Sequence, residues 1–212
     1  MSAVKFEQQI DLIRNLGSLI VSTKKELDDY KHVNKTFFMI TFDDAYNNFY
    51  DFAYPILSKY QIKSVLFVPT AKVGLTLYEQ DYDAYQRYMT LKQLKYIQAE
   101  GLVNIQSHGH SHIPLGKYSN LVQQDDIERS NLYLHRNLNI IDTGFFCLPY
   151  GSSNSGTYDI LASMKNIEYI FTTDYGINDI LPVENASLIR LKRIVFRSSI
   201  ELNDFHLTLE SL

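Results

Sequence analysis

Two clusters of ionisable side chains in this sequence have the residue types of a metal-assisted hydrolytic site. The first is the pair Asp43 and Asp44, which ends the apolar run Thr36–Phe42 (TFFMITF). Adjacent carboxylates at the end of an apolar strand are costly unless they are paired, hydrogen-bonded or bound to a cation. Neighbouring side chains of an extended segment point to opposite faces, so one can hold a metal while the other works as a base. An aspartate before a helix is equally an ordinary N-cap, and for this segment alone both readings stand. The second cluster is His108, His110 and His112 in Ser107–His112 (SHGHSH). In a straight strand His108 and His112 would lie about 13 Å apart, too far to share an ion. Gly109 permits a tighter path, and Pro114 stops the strand soon after. Imidazole nitrogen and carboxylate oxygen are both accepted zinc ligands. His110 is expected outside the ligand set, in a supporting or solvent-facing place, and a surface histidine cluster would have the same composition. A third segment, Phe146–Gly151 (FCLPYG), reads in isolation as a strand running into a Pro-Tyr-Gly turn.

The elements around these clusters decide whether they can meet. Each lies at or just after the carboxyl end of a predicted strand, the edge at which parallel α/β folds build their sites. Apolar runs alternate with amphipathic segments, the pattern of an α/β chain. Strands are expected at 36–42, 63–68, 103–106, 144–148, 169–172 and 188–196. A helix opens the chain and stops near Gly17. Thr23 with Glu26, and Thr90 with Gln93, have capping-box spacing and start helices. Asn47–Tyr60 reads as helix with a kink or boundary at Pro55. Further helices are expected at Leu121–Leu138, at Tyr158–Met164 and after the Ser198/Glu201 pair. Residues 74–88 carry four tyrosines, Tyr78, Tyr82, Tyr85 and Tyr88, without a clean period. They support no assignment; stacking against a sugar, a packed lid and a partner contact all remain open for them.

Composition narrows the partners. With 212 residues, 45% hydrophobic and 21% charged, the chain reads as one globular domain over 1–212. A formal net charge of −4 argues against nucleic acid as the main partner. The single cysteine, Cys147, excludes an intrachain disulfide and a Cys-based zinc site. No segment approaches about 18 uninterrupted apolar residues, so no membrane span is predicted. Residues Met1–Glu7 lack the basic start and apolar run of a signal peptide, and a cytoplasmic protein is expected.

Together the three segments resemble the polysaccharide-deacetylase family (carbohydrate esterase family four, the NodB-homology domain). TFDDA at 41–45 is similar to its first motif, SHGHSH to its second and LPYG at 148–151 to its third. The flanking text Phe52–Tyr60 and Met89–Gly101 agrees, and LKRI at Leu191–Ile194 resembles the family's closing strand. The resemblance implies an irregular (β/α) barrel of mostly parallel strands. It also implies a divalent metal, usually Zn2+, held by Asp44, His108 and His112 with water completing the shell. Asp43 would be the general base, and the backbone N–H of Tyr150 would contact the oxyanion. Pro149 and Tyr150 would line one side of a groove for an acetylated amino sugar or glycan precursor, releasing acetate and a free amine. Two positions depart from the family pattern. The arginine that orients the base is replaced by Cys147, with Arg193 and Arg190 as candidates to supply that charge from the late strand. The late histidine that serves as general acid has no match except His206, whose neighbours Phe205 and Leu209 mark a core-facing stripe. These departures keep a second reading in view: a metal-binding deacetylase-like domain with weak or no catalysis, acting in glycan binding or regulation.

Overall fold

The computed structural model describes residues 2–16, 19–30, 36–79, 84–141, 143–178, 188–196 and 201–210. Strands β3 (Thr41–Phe42), β4 (Ser64–Val68), β7 (Val103–Ser107), β8 (Phe145–Cys147), β9 (Tyr169–Tyr175) and β10 (Ile189–Arg193) form one parallel sheet in the order β10-β9-β8-β7-β4-β3. A two-stranded parallel sheet joins β1 (Leu19–Ile20) and β2 (Phe37–Phe38). Helices α1 (Ala3–Asn15), α3 (Tyr54–Tyr60), α4 (Leu91–Ala99), α5 (Asn120–Leu138) and α6 (Ser155–Ser163) clothe the sheet, and α7 (Leu202–Glu210) packs on α1. The sheet is a curled half-barrel, the (β/α) class that the resemblance implies. No helix of the described residues is long and apolar enough to cross a membrane.

Both faces of the sheet are covered, which is why its strands read as continuous apolar runs. Val65 and Phe67 of β4 face inward with Phe145, Cys147, Tyr169, Phe171 and Leu191. Leu66 and Val68 face outward, against Leu57, Leu94, Ile97 and Leu134 of the helices. Each fully buried side chain of this size contributes about 1.5–3 kcal/mol. The inward residues of β7 are polar instead. The Gln106 amide oxygen accepts from Phe145 N–H at 3.3 Å, its amide nitrogen donates to Asn104 at 2.8 Å, and Asn104 donates to the Ser22 carbonyl at 2.6 Å.

Besides the unexpected strand β1 and shifts at element ends, such as β10 ending at Arg193, the elements differ from the sequence expectation in three places. Thr36–Phe42 is two strands rather than one: the Phe38 carbonyl accepts from Val21 and the Ile40 carbonyl from Val65, each at 2.9 Å, so the chain changes partners midway. The helix expected at 47–60 has its boundary beside Pro55, as that residue predicted, but its first half is a widened turn over Phe49–Ala53 that leads into α3, with Tyr54 N–H bonding back to the Phe49 carbonyl. Pro55 has no N–H and would collide with the carbonyl four residues before it, and the widened turn makes that room. The unassigned tyrosine-rich segment is an antiparallel hairpin of β5 (Thr76–Glu79) and β6 (Ala84–Arg87). Gly17, His32, Tyr82 and Ser198 lie outside the described residues. The Thr90/Gln93 capping box is present, and so is its counterpart at Thr23/Glu26, which starts α2 (Lys24–Tyr30).

Candidate metal centre and active site

Asp43 and Asp44 follow β3 directly, and the backbone then turns sharply. Asp44 and Ala45 take left-handed φ values of 71° and 54°. The Ala45 carbonyl accepts from Met89 N–H at 2.9 Å, which pins this turn beside the hairpin. Such backbone angles in non-glycine residues cost energy and persist where surrounding structure enforces them. The turn separates the two acids, sending Asp43 toward Cys147 and Arg193 and Asp44 toward the histidines.

The histidines are brought together by an equally tight path. Gly109 has φ 72° and His112 φ 58°, so the chain doubles back after β7 instead of extending. His108 is 2% exposed, and its Nδ1 lies 2.9 Å from the Cys147 carbonyl. A carbonyl only accepts, so Nδ1 carries the proton and the Nε2 lone pair faces the site. Burial depresses the imidazolium pKa, which keeps this ring neutral and able to ligate. His112 packs against the Tyr150 ring at 4.7 Å between centroids.

Asp44 Oδ1 lies 3.0 Å from His112 Nε2 and 3.6 Å from His108 Nε2. The ligand atoms of Asp44, His108 and His112 all lie within 4.8 Å of one another. Asp44 Oδ1 is nonetheless buried without a hydrogen-bond partner. A buried carboxylate oxygen without a donor is unfavourable, and a cation shared with two imidazoles removes the penalty. Two imidazole nitrogens and one carboxylate oxygen also form a donor set that divalent transition metals accept. The residues present therefore fit a divalent metal.

Asp43 is placed differently. Arg193 grips it in a two-pronged pair, Nη1 to Oδ1 at 2.7 Å and Nη2 to Oδ2 at 2.9 Å, while Arg193 Nε donates to the Thr172 carbonyl at 2.8 Å. Burial alone would raise the Asp43 carboxyl, but nearby positive charge, that of His108 when protonated and that of the Arg193 guanidinium, reverses this and holds it below its ordinary value. Because β3 and β10 are the two edges of the six-stranded sheet, this ion pair joins its first and last strands across the mouth. Cys147 stands where the resemblance places an arginine. Its sulfur lies 3.7 and 3.8 Å from the Asp43 oxygens. Asp43, His108 and Cys147 also bring ligand atoms within 4.8 Å. Burial and the Asp43 charge push this thiol well up, however, so it stays protonated, and Asp43 is committed to Arg193. Arg190 lies over the Tyr158 ring, away from Asp43.

The third segment forms a short turn, Pro149–Gly151, at the end of β8. Pro149 is buried and Tyr150 is 60% exposed with φ 58°. Gly151 has φ 65°, and a Cβ there would come within 2.0 Å of Thr173 Oγ1, so only glycine fits. His110 stays out of the ligand group, with its Nδ1 2.8 Å from Thr70 Oγ1. His206 sits on α7, which packs against α1. One residue at the site had no place in the sequence reading: Asp126 of α5, whose carboxylate accepts from the backbone N–H groups of His110 and Ser111. Its signal was available, since Gln123, Asp126, Ile127, Ser130 and Leu134 form a buried stripe at helical spacing, and an acid on such a stripe needs a partner.

The chain belongs to the polysaccharide deacetylase family, whose model matches residues 30–169. It is 31% identical over 180 residues to the poly-beta-1,6-N-acetyl-D-glucosamine N-deacetylase of Staphylococcus epidermidis, covering 79% of this chain and 59% of that protein. The chain thus spans about three-fifths of the length of such curated relatives. Among solved structures, the Streptococcus pyogenes deacetylase PplD in complex with acetate shares 27% identity at a TM-score of 0.79, covering 97% of this chain and 86% of that one. IcaB from Ammonifex degensii shares the fold, at 22% identity and a TM-score of 0.82, covering 99% of this chain and 88% of that one.

Proposed function

We propose that this chain is a metal-dependent N-deacetylase that hydrolyses the acetamide of an acetylated amino sugar or glycan precursor. One observation carries the reading: a buried, donorless Asp44 oxygen faces two imidazole nitrogens, beside a carboxylate held in place by arginine. Asp44, His108 and His112 would hold the cation, with Zn2+ the best match to their donor set. Such an ion, when bound, lowers the pKa of a water and polarises the acetyl carbonyl.

Asp43 is the general base. Arg193 keeps it ionised and fixes its orientation, and each carboxylate oxygen retains a further lone pair to accept the water's proton. The water oxygen bonds to the acetyl carbon, and the Tyr150 backbone N–H donates to the developing oxyanion. Asp43 then returns its proton to the amine nitrogen as the carbon–nitrogen bond breaks, leaving acetate and a free amine. Pro149 and the exposed Tyr150 ring form the wall against which the sugar packs. The substrate named for the S. epidermidis relative, poly-beta-1,6-N-acetyl-D-glucosamine, is the first to try. A cytoplasmic site of action, acting on a precursor, belongs to the same proposal and is checked by fractionating cells that express the protein.

A second reading, a metal-binding domain with weak or no catalysis, is favoured by one observation: the late histidine, His206, lies on α7, which packs against α1, and is not part of the Asp44–His108–His112 group. Metal analysis of the purified protein together with acetate release from N-acetylglucosamine oligomers separates the two. Uptake of zinc with acetate release supports the deacetylase. Zinc uptake with oligomer binding but no acetate supports the second reading, and a protein that takes up no metal overturns both.

A further inference from the structure

The loop joining the two histidines is held from outside, and one side chain supplies two of the bonds. Asp126 is 4% exposed on α5. Its Oδ2 accepts from His110 N–H and its Oδ1 from Ser111 N–H, each at 2.8 Å. Two successive backbone N–H groups converging on one carboxylate form an anion nest whose anion is built into the fold. The carbonyls of the loop are satisfied on its other side. Thr70 N–H donates to the Gly109 carbonyl at 3.1 Å and Ala71 N–H to the His110 carbonyl at 2.8 Å. Gly109 N–H donates to Ser107 Oγ at 3.2 Å, and that hydroxyl lies 2.8 Å from Ser130 Oγ. The close approach of the carboxylate also explains Gly109: a Cβ there would stand 2.7 Å from Asp126 Oδ2, at a φ of +72°.

We infer that Asp126 is a positioning residue for the candidate metal centre, fixing the Gly109–Ser111 backbone so that His112 presents Nε2 to Asp44 before any cation arrives. Asp126 touches no ligand atom of the group; it acts through the loop. Groups that orient metal ligands from behind change affinity about 10–100-fold when removed. Without Asp126 the N–H groups of His110 and Ser111 lose their acceptor, and the left-handed His112 backbone loses the hold that offsets its strain. The inference rests on the metal-site reading above.

The test measures zinc affinity by competition with a chromophoric chelator, and the visible spectrum of the Co2+-loaded protein, for the wild type and Asp126→Asn. Asparagine keeps the shape but turns an NH2 group toward a backbone N–H. The expected result is zinc binding weakened about 10–100-fold, with an altered Co2+ spectrum and a far-UV circular dichroism spectrum like that of the wild type. Unchanged zinc affinity in a folded Asp126→Asn overturns the inference alone. A wild type that binds neither metal overturns the metal-site reading and the inference with it. Amide hydrogen exchange in the metal-free wild type gives a measurement that does not depend on the variant folding. Slow exchange at His110 and Ser111 is expected, and exchange at the rate of an unstructured chain overturns the inference.

Discussion

The two rims of the barrel treat their carboxylates differently. At the amino-terminal rim, beneath α2, Asp28 accepts from the Tyr169 hydroxyl at 2.7 Å and from Lys24 at 3.0 Å. Glu26 accepts from the backbone N–H groups of Ser22 and Thr23 at 2.8 and 3.1 Å and pairs with Lys63. At the carboxyl-terminal rim Asp43 is matched by Arg193, but Asp44 is left with a buried oxygen that no donor meets. The backbone divides the same way. Of the described non-glycine residues with left-handed φ, Gln61 and Asn139 end helices, whereas Asp44, Ala45, His112 and Tyr150 line the carboxyl-terminal rim. Each such residue costs about 1–3 kcal/mol. One rim spends its charges on stability; the other holds strain and an unmet acceptor, as chemistry requires.

On that contrast, substitutions at the carboxyl-terminal (upper) rim change activity and those at the amino-terminal (lower) rim change stability. The largest effect is expected from emptying the proposed metal centre. Chelation, or Asp44→Ala, should bring acetate release to background, with added zinc restoring the chelated wild type but not the variant. Activity that survives chelation breaks the contrast at its strongest point. Asp43→Asn should lower kcat about 10²–10⁴-fold while zinc content stays at the wild-type level. Arg193→Ala should cost about 10–100-fold, as for hydrogen bonds to a charged group, and should also move the pH profile. Burial then dominates at Asp43 and its carboxyl rises, so the acidic limb of kcat/KM shifts to higher pH. In the wild type the lowered Asp43 value means that its pairing stabilises the fold above about pH 3.9, and that this stability is lost as the pH falls through the lower folded value.

Effects at the lower rim are smaller and of another kind. Tyr169→Phe removes the hydroxyl that donates to Asp28 and should cost about 1 kcal/mol, read as a lower Tm with kcat unchanged. The smallest effect is expected at Glu26. Its carboxyl is lowered by Lys63 and by the Ser22 and Thr23 N–H groups, which outweigh the opposing effect of burial. Its contribution is therefore complete above the unfolded glutamate value and fades as the pH drops through the folded one. Glu26→Gln should flatten the acid side of the stability profile, and an unchanged profile would show that this rim does not rely on its acids.

The sequence displayed the candidate ligands more clearly than the side chains that hold them. Asp43, Asp44, His108 and His112 were visible because acids and histidines at strand ends are costly and their spacing is short. Arg193 and Arg190 looked alike until the barrel set a face: Leu191 is in the interior, and the alternation of a strand sends residue 193 to the same side and residue 190 to the other. Asp126 sits among Asp125 and Glu128, and composition alone does not say which acid of a helix turns inward. The split of Thr36–Phe42 was hidden because both halves are apolar, although they pair with different neighbours. The pairing of β5 with β6 was hidden for the opposite reason, since the aromatic and charged residues of 74–88 have no clean period in the sequence.

The ion pair between Asp43 and Arg193 has a consequence for the order in which the molecule is made. The partners stand 150 residues apart in the chain. At about 5–20 residues per second of synthesis, Asp43 leaves the ribosome on the order of ten seconds before the residue that neutralises it. A nascent chain that has emerged through β9 already holds both histidines and both aspartates, yet Asp43, the proposed base, still lacks the partner that fixes it. Arrival of β10 both completes the sheet and fixes Asp43, so a chain stalled before that point has the candidate metal ligands but an Asp43 that nothing orients.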